Sequence, residues 1–255
     1  MKQLLISLVT VGLLLSMTAF AEGQYEFHPT VQKVYDDYIV NHFEAGLRIT
    51  HFQFKDPTKY TYDANGNLSG GYTAGISTYD LEEEQSYVPA LYLRYNVIEY
   101  LSLQFSWEYI KGKAWNIQVA PYPQGSDGSL ELSGPSFSVY GRYPIEFENI
   151  DDFKVIPYAG VGIVFFSADF EQDADWHAGG LRNMQADDTT GYLLSLGTSI
   201  TLYKNIEADL SISSLTASSD ARYWYRGRAT EDNPDAEWEF PVDSWLYQLA
   251  IKYAF

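Results

Sequence analysis

Leu101-Ser102-Leu103-Gln104-Phe105-Ser106-Trp107-Glu108-Tyr109 is the stretch on which the fold turns. Every odd position is apolar or aromatic and every even position is polar. Successive side chains of a β-strand point to opposite faces, so this alternation describes a strand with one apolar and one polar side. An amphipathic helix would need apolar residues every three or four positions instead.

The same period of two recurs on both sides of it. Over 43–50, Phe43, Ala45, Leu47 and Ile49 oppose Glu44, Gly46, Arg48 and Thr50. Over 87–95, Tyr87, Pro89, Leu91, Leu93 and Tyr95 leave Arg94 on the other side. Downstream, Pro135, Phe137, Val139 and Tyr143 oppose Ser136, Ser138, Tyr140 and Arg142, and 155–166 carries Gly160 and Gly162 on one face. Tyr192, Leu194, Leu196, Ile200 and Leu202 oppose Gly191, Ser195, Gly197, Ser199 and Thr201. Ile206, Ala208, Leu210 and Ile212 oppose Glu207, Asp209, Ser211 and Ser213, and Trp245, Tyr247, Leu249, Ile251, Tyr253 and Phe255 share the last face. Short turns at 96–100, 144–152 and 203–205 alternate with long polar loops over about 55–85, 111–133, 167–188 and 216–240. Eight strands joined alternately by short and long connections predict an all-β, antiparallel, up-and-down transmembrane barrel with short periplasmic turns and long extracellular loops. Runs of this length suffice to cross a bilayer when tilted.

Composition narrows the class. The 255 residues carry a net charge of −18, which disfavours nucleic acid as a partner, and the absence of Cys removes disulfides, thiol nucleophiles and thiolate metal sites. Tyr, Trp and Phe make up 16% of the chain, a load suited to strands and membrane interfaces. Met1-Lys2, the apolar stretch 4–15 and Ala19-Phe20-Ala21 read as a signal peptide over 1–21, cut after Ala21. Residues 22–42 form a lead-in, in which Val31, Val34, Tyr35 and Tyr38 fit helical spacing, and 43–255 forms the barrel.

Alternation alone leaves open which face is outside, since a secreted binding barrel turns its apolar side inward. Charges of both signs on the polar faces, Glu44, Arg48, Arg94, Glu108, Arg142, Glu207, Asp209 and Lys252, can pair within a narrow lumen and favour the membrane orientation. Tyr95, Tyr100, Trp107, Tyr109, Tyr143, Tyr203, Trp245 and Tyr253 stand near strand ends, where a membrane barrel places its aromatic girdles. Glycines 160, 162, 191 and 197 leave room for larger lumen neighbours.

The ending Tyr247-Gln248-Leu249-Ala250-Ile251-Lys252-Tyr253-Ala254-Phe255 resembles the terminal assembly signal of outer-membrane barrels, with Tyr247, Leu249, Ile251, Tyr253 and Phe255 in the positions read by the insertion machinery. Val155-Ile156-Pro157-Tyr158-Ala159-Gly160-Val161-Gly162 resembles a strand of small eight-stranded barrels of the OmpA transmembrane-domain, OmpW and opacity-porin type, and 191–212 is similar to the hairpin that follows it there. The resemblance implies export to the outer membrane of a Gram-negative bacterium. It also implies contact with outer-membrane lipid and lipopolysaccharide, assembly by the barrel machinery, a monomer and no cofactor.

Candidate chemistry is sparse. Asp173, Asp175 and His177 offer the carboxylate and imidazole of a hydrolase, although the further acidic residues of outer-membrane aspartyl-type proteases are lacking, and a solvated acidic loop is the expectation. His51 is followed by Phe52 and Gln53, which breaks the His-x-Ser spacing of lipid-A deacylases. Asp80, Glu82, Glu83, Glu84, Asp232, Asp235 and Glu237 are oxygen ligands without the spacing of a calcium loop, so no metal site is expected. The reading is a non-enzymatic barrel, structural or a narrow passage for small, including hydrophobic, molecules. The alternatives are a surface adhesin or ligand-binding barrel acting through its acidic loops, and an outer-membrane hydrolase.

Overall fold

The computed structural model describes residue 40 and residues 42–55, 79–83, 87–116, 125–147, 153–172, 183–224 and 236–255. The signal peptide and nearly all of the lead-in lie outside them. In chain order the strands are β1 (Phe43–Phe54), β2 (Tyr79–Glu83), β3 (Tyr87–Ile98), β4 (Leu101–Asn116), β5 (Gly125–Arg142), β6 (Ile145–Glu146), β7 (Lys154–Gln172), β8 (Asn183–Ala186), β9 (Thr189–Tyr203), β10 (Ile206–Thr216), β11 (Ser218–Trp224), β12 (Ala236–Pro241) and β13 (Ser244–Ala254).

Eight of these, β1, β3, β4, β5, β7, β9, β10 and β13, pair antiparallel in that order, and β13 returns to pair with β1, closing the barrel. The register fixes its size. A path from Glu44 passes through Arg94, Gln104, Ser138, Gly162, Leu193, Leu215 and Ser244 and comes back to β1 at Phe54, ten residues beyond its start. Eight strands with that stagger tilt strongly and leave an interior that side chains can fill. The periplasmic turns are tight. Glu99-Tyr100 joins β3 to β4, and Lys204-Asn205 joins β9 to β10, with Lys204 in the left-handed region at φ 46°. At the third turn, Lys154 Nζ holds Glu146 at 2.8 Å, and this hydrogen bond and charge keep the Glu146 carboxyl below the usual carboxylate range.

The outer wall is apolar. Leu47, Leu103, Phe105, Trp107, Val161, Leu194, Leu196, Leu249 and Ile251 are all between 41% and 64% exposed, which in a water-soluble barrel would be a continuous unfavourable surface. Here it is the hydrocarbon-facing belt, and the described residues hold no helix long and apolar enough to span. Tyr95, Tyr100, Tyr143, Tyr203 and Tyr253 ring the short-turn end, where Tyr100 and Tyr143 stack at 6.1 Å. Trp245 stands at the opposite end of β13 and Trp107 part-way up β4. Tyr109 departs from the girdle pattern, being half-buried against the apolar core.

Two expectations need correction. The long loops are not simply loops: β4 runs on to Asn116, β5 starts at Gly125 and β7 continues to Gln172, while β8, β11 and β12 form a separate three-stranded sheet. The lumen, moreover, is polar for only part of its height. Moving towards the long loops, the inward residue turns from polar or glycine to apolar on every barrel strand: Thr50 to Phe52, Tyr92 to Val88, Glu108 to Ile110, Ser136 to Leu132, Gly162 to Val164, Ser195 to Leu193, Ser213 to Leu215 and Gln248 to Leu246. The outward residues turn the other way, to Gln53, Glu131, Ser167, Asp169, Thr190 and Thr216. Beyond the hydrocarbon, water lies outside the wall, so the apolar face must turn in. That reversal is why the extensions read as polar loops.

Candidate functional site in the barrel lumen

The short-turn part of the lumen is built from short strand segments whose inward positions are mainly charged, hydroxyl or amide residues, interspersed with glycines. Glu44 on β1 is its hub. The Glu44 carboxylate accepts from Lys252 Nζ, from Arg142 Nη1 at 3.0 Å and from Asn96 Nδ2 at 2.8 Å, with Arg94 Nη1 at 3.7 Å. Lys252 also reaches Glu207 at 2.8 Å. Arg94 donates to Gln104 Oε1 at 2.9 and 3.2 Å and to Asp209 Oδ2 at 3.2 Å, and Asp209 further accepts from Tyr158 Oη at 2.5 Å and Ser199 Oγ at 2.8 Å. A second cluster lies higher. Arg48 Nη2 donates to both oxygens of Glu108 at 2.8 and 2.7 Å, and the hydroxyls of Ser106 and Ser136 reach Glu108 Oε1 at 2.8 and 3.0 Å.

All eight charged residues singled out in the sequence therefore point inward, four cations against four anions. Several links join strands that are not neighbours: Arg94 on β3 to Asp209 on β10, Arg48 on β1 to Glu108 on β4, and Arg142 on β5 to Glu44 on β1. Such bonds cross the lumen and obstruct it. Pairing and hydrogen bonds offset the desolvation of these groups, which costs several kcal/mol per ion by general estimates, about as much as the attraction returns.

Sequence reading missed the aromatic part of this site. Arg94 lies 4.8, 5.3 and 5.6 Å from the ring centroids of Tyr158, Tyr140 and Tyr92, close enough for cation–π attraction. Each of these rings lies over a glycine that is its direct cross-strand partner: Gly46 opposite Tyr92, Gly160 opposite Tyr140 and Gly197 opposite Tyr158. A Cβ at those glycines would come within 2.4 to 2.6 Å of ring atoms. The signal was present, as a glycine and a tyrosine at matching inward positions, but it needs the register to be seen.

Above the ionic clusters, Phe52, Leu132, Val164 and Leu215 are fully buried in an apolar core that also takes in Val88, Ile110, Leu130, Phe166, Leu193 and Leu246. Among the described residues this core comes up to the side wall between β7 and β8. β7 and β9 pair only as far as Phe166 and Thr189. Beyond that point a cleft of about 550 Å³ opens between β7 and β8; its exposed lining is mostly polar, from Asp169, Gln185, Asp187, Asp188 and Arg222, with Ala168, Phe170, Met184 and Ala186 beneath. Asp188 bridges the parting strands by accepting from Ser167 Oγ at 3.2 Å and Ala168 N at 3.0 Å.

The remaining candidates are dispersed. Tyr247, Leu249 and Ile251 face outward on β13, whereas Phe255 is buried, its N donating to Phe43 O at 2.9 Å and its ring 5.1 Å from Tyr253. His51 faces outward between the rings of Tyr87 and Tyr247. Asp173, Asp175, His177, Glu84, Asp232 and Asp235 lie outside the described residues, as do the side chains of Asp80, Glu82, Glu83 and Glu237. Among the described residues no three His, Asp or Glu converge on a metal-sized site.

The fold has close counterparts among solved structures. The crystal structure of the outer membrane protein OprG from Pseudomonas aeruginosa superposes with a TM-score of 0.62 at 13% identity, over 86% of this chain and 97% of that one. This chain has the fold of a small outer-membrane β-barrel. The solid-state NMR structure of outer membrane protein AlkL in DMPC bilayers gives 0.54 at 13% identity, over 86% and 92%. No family model and no curated protein matches the sequence. In this fold the tyrosine-rich end carries the short turns and the apolar core lies towards the long connections.

Proposed function

We propose that this barrel is non-enzymatic and takes small apolar molecules at its extracellular mouth towards the bilayer, without an aqueous path along its axis. The reading is carried by the two-level lumen: cross-lumen ion pairs obstruct the short-turn part, while the apolar core above them comes up to the wall, through Phe170 and Met184, at the floor of the cleft between β7 and β8. A water-filled channel would need a polar lining along its whole length. An apolar solute needs the opposite, a dry surface with a few polar groups at its edge. Phe170 and Met184 belong to the core itself and lie buried at the floor of the cleft, beneath an exposed lining that is mostly polar. The acidic rim discourages anions, in keeping with the charge of the chain. β13 serves as the segment by which the assembly machinery recognises the chain.

The test is transfer of a nonpolar naphthylamine dye into vesicles holding the purified barrel, with single-channel recording on the same preparation. Dye uptake above that of empty vesicles, reduced severalfold by Phe170→Asp, together with no ion conductance, is the expected result. Steady ion conductance with no effect of Phe170→Asp on dye uptake would overturn the proposal.

A further inference from the structure

The outer wall carries a second chemical feature at the level where its exterior turns from apolar to polar. On β1 the outward residues run Leu47, Ile49, His51, Gln53, and on β13, read in the same direction, Ile251, Leu249, Tyr247, Trp245. The hydrocarbon belt ends at Ile49 and Leu249, so His51, Tyr247 and Trp245 stand at the depth of the lipid headgroups. Tyr87, His51 and Tyr247 form a row of near-parallel rings, 4.9 and 6.0 Å between centroids. Directly above it, Lys55 Nζ lies 5.0 Å from the Trp245 ring and donates to Ser214 Oγ at 2.6 Å and Leu215 O at 2.9 Å.

Those two bonds leave one of the three ammonium donors over. Among the described residues Lys55 has no carboxylate partner. The nearby Asp243 accepts from Lys55 N at its backbone carbonyl and from Ala217 N at Oδ1. In a chain of net charge −18, a lysine held on an aromatic face with no counter-anion among the described residues is conspicuous. Its position selects the kind of anion that completes it. The ammonium sits just above the apolar columns Ile49–Leu47 and Leu249–Ile251, which are 50–59% exposed and shaped by their strands for acyl chains. Flat rings beside a cation at that depth suit a sugar face next to a phosphate.

We propose that Lys55, Trp245, Tyr247 and His51 bind the phosphorylated disaccharide of one lipopolysaccharide molecule, with Lys55 on a phosphate and the acyl chains against β1 and β13. The site is on the outside of the barrel and does not depend on passage through the lumen. It needs only that the apolar wall faces the outer leaflet.

The experiment uses the whole barrel refolded into phosphatidylcholine vesicles doped with bisphosphorylated lipid A. The barrel is then extracted in mild detergent and its retained lipid A is weighed by mass spectrometry. Lys55→Gln is expected to lower retention about fivefold, the loss of one lysine at an anionic surface, while Lys55→Arg keeps most of it and Lys154→Gln, at the periplasmic end, changes nothing. Dephosphorylated lipid A should be retained by the unaltered protein no better than bisphosphorylated lipid A is by Lys55→Gln. That second comparison stands even if the variant refolds poorly, which heat-modifiable gel mobility reports. Equal retention by the unaltered protein and Lys55→Gln, no dependence on phosphate, or phosphatidylglycerol held through Lys55 as firmly as lipid A would each overturn the assignment.

Discussion

The two ends of one lumen solve the same problem by opposite means. Near the periplasm the interior is filled by Glu44, Arg94, Asp209 and their partners, with Tyr92, Tyr140 and Tyr158 packed around the Arg94 guanidinium. Near the extracellular side it is filled by Phe52, Leu132, Val164 and Leu215. What differs is the solvent outside the wall. Where hydrocarbon surrounds the barrel, turning apolar residues inward would bring no transfer free energy, so the interior can be ionic and specific. Where water surrounds it, burial of apolar surface is worth about 25 cal/mol per Å² and the interior becomes an ordinary core.

The contrast makes graded predictions. The largest effect should follow loss of the hub. Glu44→Leu strands Lys252, Arg142 and Arg94 without their shared anion and should destabilise the folded barrel by about 3–5 kcal/mol in denaturant titrations, in line with other broken buried pairs. Leu132→Ala, in the apolar core, should cost about 2–5 kcal/mol through lost transfer energy and the cavity left behind. If Leu132→Ala proved neutral, the upper lumen would be wet. The Arg48 and Glu108 pair separates charge from packing. Arg48→Met alone leaves the Glu108 carboxylate buried and should lower the unfolding midpoint clearly. Arg48→Met with Glu108→Leu should recover most of that loss, because well-packed apolar replacements of a buried pair are commonly neutral or better. The smallest effect belongs to the exposed counterpart: Lys154→Ala at the periplasmic turn should shift stability by less than about 1 kcal/mol.

Much of this was legible in the sequence. The alternation is strict from Leu101 to Tyr109 and looser in its seven echoes; it arises because one face of each strand meets hydrocarbon, and the charged residues on the other face are conspicuous against Ser and Gly. The upper third escaped because Thr50, Phe52 and Phe54 keep the inward parity while changing polarity, so a rule that equates apolar with outward ends the strand at Thr50. The same happens on β4, where Glu108 is followed inward by Ile110. The cage around Arg94 escaped for another reason. Gly46, Gly160 and Gly197 acquire meaning only when the register sets each beside its tyrosine, and no single strand contains that information.

The central claim is the exchange of inside and outside along one strand, and because the chain has no native cysteine it can be read directly by single-cysteine labelling on β1 of the reconstituted barrel. Carrying a bimane label, Ile49→Cys should be quenched by a lipid-borne quencher. Gln53→Cys should react rapidly with a water-soluble maleimide, and Phe52→Cys should react slowly and be unaffected by lipid. Phe52→Cys reacting as fast as Gln53→Cys, or Gln53→Cys being quenched from the lipid as strongly as Ile49→Cys, would contradict it.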